Sequence, residues 1–364
     1  MPYGFSWMAL RRKLPLLLSA LTVVFLLSVN HIILTPASRA SEQAEYSSMS
    51  AEDDEMSQEH IHPLLRSRCS ATRSWRPQKT LDYVVKRPWL LKYLIYNDEH
   101  KLIYCYVPKV SCTQWKKLFG ILSGVFPNVP FNNISSAIAH KSRIHRTLSQ
   151  LPEPEVRRRL ETYTSFMFSR HPLERMVSAF RNKLNPGIYN LPYRQLYAVE
   201  IMGEPKGSIS LHDRTNASVA AENLPTVTFE RFAEWVAEAG PVDLDTDSKE
   251  GQHDEHWRPM VDLCHPCTIP YTVLGRTASL AEDARLVLRT ANITSVKFPE
   301  GYRSATPDVT ESLVSLLRTD VLKGVLRHYL QDLFLFGYRP QEVFQNTTAR
   351  DIAQSIYEEL LAEA

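Results

Sequence analysis

Apolar positions along this chain alternate between short runs and helical stripes. A β-rich run over 102–107 stops at Pro108, and from Thr113 a helix is predicted over 113–123 because Trp115, Leu118, Phe119 and Leu122 recur at helical spacing. The pattern then repeats. An apolar strand over 163–169 runs into Arg170 and Pro172, after which Leu173, Met176, Val177, Phe180 and Leu184 share one face of a helix over 173–184. Further helices are predicted over 154–162, from a Thr228 cap through Val236, over 279–290, in long segments from Asp308 to about Leu333, and over 349–364; a short strand is predicted over 271–274. Strands alternating with helices predict an α/β fold, a parallel sheet with helices on both faces.

Two of these strand-to-helix junctions carry cations. Such a junction aims backbone N–H groups at an anion. In the first, Lys109 sits in the break and Ser111 and Thr113 add hydroxyl donors. In the second, Arg170 falls at the C-terminal edge of a strand, where parallel sheets bind ligands, and Pro172 suits the first helical turn. Arg175, Ser178 and Arg181 point away from the apolar face. Two cradles imply a ligand with two anionic ends. Taken singly, each also reads as ordinary structure: a strand followed by a Thr-capped helix, and an amphipathic helix with charged flanks. A nucleotide-kinase reading lacks its Gly-x-x-x-x-Gly-Lys-Ser/Thr loop.

The pair of segments resembles the 5′-phosphosulfate and 3′-phosphate motifs of Golgi carbohydrate sulfotransferases, the group that contains the chondroitin 4-O-sulfotransferases and the HNK-1 sulfotransferase. The resemblance also covers Glu255-His256-Trp257, Leu263-Cys264-His265-Pro266-Cys267, the stretch from Tyr271 to Gly275, Leu280 to Asp283, Lys297-Phe298-Pro299 and Asp332 to Tyr338, and so spans roughly 90–338. It implies the sulfotransferase fold with a P-loop-like nucleotide site, 3′-phosphoadenosine 5′-phosphosulfate (PAPS) as sulfate donor, no metal, and a glycan or proteoglycan acceptor. By resemblance Pro108, Lys109, Val110, Ser111, Cys112, Thr113 and Gln114 hold the phosphosulfate, with Lys109 bridging toward the transferring group. Arg170, His171, Pro172, Leu173, Glu174, Arg175, Met176, Val177 and Ser178 form the 3′-phosphate segment, acting through Arg170 and Ser178. His171 and Leu173 stand where the family often has an acidic residue and Phe, and neither change removes a donor from the phosphate end.

The acceptor hydroxyl needs a base, and His140 occupies the position of a histidine that recurs in this group after the first cradle; His256 and then His145 follow as candidates. Without the resemblance each reads as an ordinary hydrogen-bonding histidine. The acceptor implied is position 4 of N-acetylgalactosamine in chondroitin, with dermatan, terminal N-acetylgalactosamine and HNK-1-type glucuronic acid as alternatives, and a non-catalytic glycan-binding Golgi protein as the alternative of another class. The region 185–225 gives mixed signals and reads as an acceptor-side insertion. Basic groups at Lys116 and Lys117, over 141–146 and over 157–159 suit a polyanionic chain or a solvated helix face.

A net charge of +2 leaves no nucleic-acid footprint. Residues 1–13, ending in Arg11, Arg12 and Lys13, read as a cytoplasmic tail, 14–34 as an uncleaved transmembrane signal anchor of type II, and 35–75 as a lumenal stem. The catalytic domain is expected over 76–340 and a C-terminal tail, helical in part, over 341–364. A cleaved signal peptide ending near Ala40 is the competing reading. Sequons at Asn133, Asn216, Asn292 and Asn346 agree with a lumenal domain. The five cysteines permit two disulfides and one thiol, with the partners of Cys264 and Cys267 left open between a local bridge, distant bridges and half a zinc site. Oligomeric state is not legible.

Overall fold

Leu102–Cys105 is apolar throughout and Thr164–Ser169 carries the apolar run Phe166, Met167 and Phe168, as suits two central strands covered on both faces. The structure is a computed structural model and describes residues 58–72, 79–186, 191–203, 224–246, 253–299 and 306–364. In chain order its elements are α1 (Gln58–Ala71), α2 (Leu81–Val85), β1 (Leu94–Asn97), β2 (Leu102–Cys105), α3 (Cys112–Leu122), α4 (Ser136–Ala139), β3 (Arg146–Thr147), α5 (Glu153–Thr162), β4 (Thr164–Ser169), α6 (Pro172–Lys183) and α7 (Leu191–Ile201). They continue with α8 (Phe229–Ala237), α9 (Met260–Cys264), β5 (Val273–Arg276), α10 (Leu280–Thr290), α11 (Pro307–Val314), α12 (Thr319–His328), α13 (Leu330–Phe336) and α14 (Thr347–Glu363).

The sheet order is β3-β1-β2-β4-β5. β2, β4 and β5 run parallel, with Cys105 beside Met167 and Ser169 beside Arg276. β1 and β3 are antiparallel, so the expected parallel sheet is corrected to a mixed one. The reason is local. The turn between Asn97 and Leu102, with Lys101 in the left-handed region, is too short for a crossover and folds β1 straight back on β2. The strand expected over 102–107 stops at Cys105, and the one expected over 271–274 is Val273–Arg276. The helical segments expected from Asp308 are α11, α12 and α13, and the unassigned 185–225 region contains α7.

On one sheet face Tyr104, Phe166 and Phe168 meet α3, with Trp115 4.5 Å from Phe166 between ring centroids and Phe298 4.9 Å from Trp115. Gly275 is needed there, since a Cβ would lie 2.3 Å from the Phe168 ring. This packing fixes the ends of β2, β4 and β5 relative to the helices that leave them. Two disulfides add long-range ties, Cys105–Cys264 from β2 to α9 and Cys69–Cys267 from α1 to the turn after α9. The neighbouring cysteines 264 and 267 therefore pair with distant partners, and Cys112 stays a buried thiol.

Gln58–Ala364 is one compact unit. It takes in α1, which lies within the expected stem, and α14, whose Ala353, Ile356, Tyr357 and Leu360 are buried in the same core rather than forming a separate tail. The expected anchor over 14–34 and the stem as far as Ser57 lie outside the described residues. Among those described, no helix is long and apolar enough to cross a membrane.

Candidate active site

The first junction is held in a strained shape from behind. Lys109 (φ 70°) and Ser111 (φ 54°) both adopt left-handed backbone without being glycine, a cost of about 1–3 kcal/mol each that persists only where the surroundings dictate it. Two arginines dictate it here. Arg170 donates from Nη1 to the Lys109 carbonyl (3.2 Å), and Arg175 from Nε to the Pro108 carbonyl (3.0 Å). With those carbonyls tied down, the loop presents its other face, and the first-turn amides of α3, to a cleft that Pro108, Lys109, Ser111, Cys112, Thr113 and Gln114 line. Val110 is buried in the core. Lys109 reaches across the cleft, donating from Nζ to Asn182 Oδ1 at 3.1 Å.

The second junction departs from the sequence reading. The α6 N-terminus is not an open anion cradle, because the His171 ring caps it: Leu173 N–H donates to Nδ1 (3.2 Å). That leaves the proton on Nε2, which donates to the Arg339 carbonyl (3.0 Å), and burial pushes this imidazole down to about 4. Pro172, Leu173, Met176 and Val177 are buried in the core. Arg175 is also removed from direct ligand contact. It is 1% exposed and spends Nε on Pro108, Nη1 on the Arg258 carbonyl (2.6 Å) and Nη2 on the Glu255 carbonyl (2.7 Å).

The residues of that segment which line the cleft are Arg170, His171, Glu174 and Ser178. Arg170 is ion-paired to Glu174 (Nε to Oε2, 3.0 Å), and Glu174, Ser178 and Asn182 form one stripe at i, i+4, i+8 facing the first junction. Asn182 and Lys183 were missed from the sequence, although extending the Arg170–Ser178 stripe by one turn finds Asn182.

The cleft has a volume of ≈ 1350 Å³ and contains a concentration of cations. Burial, followed by repulsion from Lys183, Arg170 and Arg175, brings Lys109 down to about 8 against a partial upward pull from Cys112. Lys116 and Lys183 are lowered chiefly by burial as well. Their ammonium groups rest on aromatic faces, Lys116 at 3.5 Å from the Tyr106 centroid and Lys183 at 3.8 Å from that of Tyr193. Several partly buried cations gathered on one cleft, with Lys109 held down by its cationic neighbours as well as by burial, suit a multiply charged anion.

Both leading histidines face this space. His140 caps the end of α4 and places Nε2 2.9 Å from Thr113 Oγ1; burial, then Lys116, Lys183 and the other histidines, lower it to about 4. His256 is buried with Nδ1 2.7 Å from Asp254 Oδ1, an arrangement that puts the proton on Nδ1 and leaves the Nε2 lone pair available. Asp254, a partner the sequence did not reveal, also accepts from Tyr197 Oη (2.9 Å). His145 donates from Nε2 to the Ala139 carbonyl (2.8 Å) and so steadies the α4 segment that carries His140. The 157–159 basic group takes no part: Arg157 pairs with Asp82 and Glu153, Arg158 with Glu155, and Arg159 with Asp98 and Glu155.

Residues 92–339 match the model of the sulfotransferase family, so the match spans both junctions and the histidine segments between and after them. The chain belongs to the sulfotransferase family. It is 33% identical over 282 residues to carbohydrate sulfotransferase 11 of Rattus norvegicus, covering 76% of each chain. Against carbohydrate sulfotransferase 14 of Danio rerio it is 33% identical over 258 residues (70% of this chain, 64% of the relative), and against carbohydrate sulfotransferase 12 of Xenopus laevis 31% over 306 residues (79% and 69%). No solved structure matches it significantly. The chain is thus a sulfotransferase that sulfates a glycan, and the family implies PAPS as donor. The site suits that donor: the strained Lys109–Ser111 loop, the α3 amides and Arg170 offer donors and positive charge at two adjacent strand ends, where a molecule with phosphosulfate and phosphate groups needs them.

Proposed function

We propose that this sulfotransferase moves the sulfuryl group of PAPS to the 4-hydroxyl of N-acetylgalactosamine in a chondroitin-type chain, with the phosphosulfate on the Lys109–Gln114 loop and the 3′-phosphate at Arg170 and Ser178. The observation that carries the reading is the pairing of Lys109 and Arg170 at the ends of neighbouring parallel strands, opening on one cleft. The bound donor supplies an activated sulfuryl group. Lys109 is placed to balance charge gathering on the bridging oxygen, and His140, touching Thr113 inside the phosphosulfate loop, to take the acceptor proton. The Asp254–His256 pair supports a second reading in which His256 is the base.

The acceptor side supports an anionic chain. Lys116 is buried on Tyr106, and among the described residues it has no carboxylate within ion-pair distance. Lys116→Met should lower kcat/KM for a uronate-containing acceptor about tenfold and flatten its salt dependence, with donor Kd within twofold of wild type. Equal losses with a neutral acceptor would count against this role. Transfer of radiolabelled sulfate to a panel of desulfated chondroitin, dermatan, terminal N-acetylgalactosamine and glucuronic acid acceptors, followed by disaccharide analysis, tests the substrate directly; label on any product other than 4-sulfated N-acetylgalactosamine rejects the chondroitin reading.

The 3′-phosphate assignment has its own test. Arg170→Ala should weaken adenosine 3′,5′-bisphosphate binding at least tenfold by calorimetry, as loss of a charge-assisted partner implies. Unchanged affinity refutes it. For placement in the cell we propose a Golgi membrane protein of type II, anchored by 14–34 with the catalytic unit in the lumen. The exposed sequons Asn133, Asn292 and Asn346 and the two disulfides support that compartment.

A further inference from the structure

Residues 100–152 contain seven Lys and Arg, from Lys101 to Arg146, and no Asp or Glu. A stretch of that length without a carboxylate concentrates positive potential on one part of the surface. Arg146 reaches outside it to pair with Asp98 (3.3 Å), whereas Lys141 and Arg143 are exposed and, among the described residues, have no carboxylate within ion-pair distance. Their place is the lip of the cleft: Ser142 between them lines it, as do His140 before and His145 after. The turn is a built one. Lys141 N–H donates to the Ile138 carbonyl (3.0 Å) and Ile144 N–H to the Lys141 carbonyl (3.1 Å), while side chains pin both ends, His140 to Thr113 (2.9 Å) and His145 Nε2 to the Ala139 carbonyl (2.8 Å). The sheet order then separates this charge from the donor's. Arg170 follows β4 on one side of the β2 junction, and the 141–145 turn leads into β3 on the other.

We propose, on the anionic-chain reading of the acceptor given above, that Lys141 and Arg143 form a track for the glycan beyond the reacting sugar. They grip carboxylates or sulfates of neighbouring residues and make a long polyanionic chain a better substrate than a short one. The turn is continuous with His140, so the anions it holds are those next along from the hydroxyl that reacts. Exposed cations contribute little singly and are screened by salt. A chain with repeated anions engages both at once, and each contact raises the effective concentration of the next. The gain therefore belongs in KM and in the salt dependence rather than in kcat.

The test assays the full chain with unsulfated chondroitin as a tetrasaccharide and as the polymer, at equal concentrations of acceptor residues. Wild type should show kcat/KM about tenfold higher for the polymer, an advantage that shrinks as salt is raised. Lys141→Ser with Arg143→Ser should remove most of that advantage through KM, with adenosine 3′,5′-bisphosphate affinity within twofold of wild type. Lys141→Arg with Arg143→Lys should retain it, since charge is what the turn supplies. Arg285→Ser with Arg289→Ser, which removes two exposed cations of α10 outside the cleft lining, should leave it intact. A polymer advantage that survives the 141/143 serine pair, or falls equally with the α10 pair, overturns the proposal. A loss seen only with intact proteoglycan and not with the free polymer assigns the turn to an acidic core protein and overturns it too. If wild type labels neither probe, the chondroitin reading has failed and the track falls with it; if it labels both alike and the serine pair changes nothing, only the track has failed.

Discussion

Lys109→Ala is expected to lower kcat by about 10²–10³-fold, the usual cost of removing one group aimed at developing charge, while donor Kd changes by less than tenfold. The split follows from the site's redundancy. The ground-state donor would still meet Arg170, Lys183 and the α3 amides, whereas only Lys109 rises from the loop itself and already spans to Asn182. Its lowered pKa adds a pH signature. With Lys109 near 8 in the free protein, charge is present below that value and lost above it, so donor affinity should fall as pH rises through about 8. Binding an anion restores the charge, and proton uptake should therefore accompany donor binding above pH 8. Calorimetry in buffers of different ionisation enthalpy measures that uptake. A Lys109→Ala protein that takes up as many protons as wild type would place the titration on another group.

Much of this site was legible as sequence because its logic is local. A strand that stops at a cation and becomes an amphipathic helix is written in consecutive residues, and Lys109, Ser111, Thr113, Arg170 and Ser178 all line the cleft those patterns implied. What stayed hidden depends on contacts between distant segments. Arg175 looked like a ligand residue by its polar direction, but its guanidinium binds carbonyls of 108, 255 and 258, and thereby locks the donor loop to the His256 segment. His171 looked like a departure within an anion motif; its partners are its own helix amide and residue 339. The mixed sheet was missed because a strand of four residues carries no sign of its neighbour's direction. The helical segments expected from Asp308 to about Leu333 are present as three helices, but their breaks could not be placed because apolar spacing persists across them.

The same limit applies to Asp254, which nothing local marked as the partner of His256. Its presence makes the identity of the base the question with the sharpest experimental answer. His140→Ala is expected to cut turnover by about 10²–10⁴-fold with donor affinity near wild type, because under the proposed donor orientation an imidazole within 2.9 Å of Thr113 lies at the phosphosulfate end rather than at the 3′-phosphate end. With a pKa of about 4 in the free protein, His140 is neutral at lumenal pH and able to accept a proton. The polyanionic donor offsets Lys116 and Lys183, so the acid limb of kcat should lie above that of kcat/KM for the donor. Asp254→Asn provides the contrast. If His256 only lines the acceptor site, this change should cost roughly tenfold or less; if His256 is the base, loss of its orienting carboxylate should cost on the order of 10⁴-fold, as in hydrolase triads. Near-normal turnover in His140→Ala beside inactive His256→Ala and Asp254→Asn would transfer the proton to His256 and leave His140 as a ligand of the phosphosulfate loop.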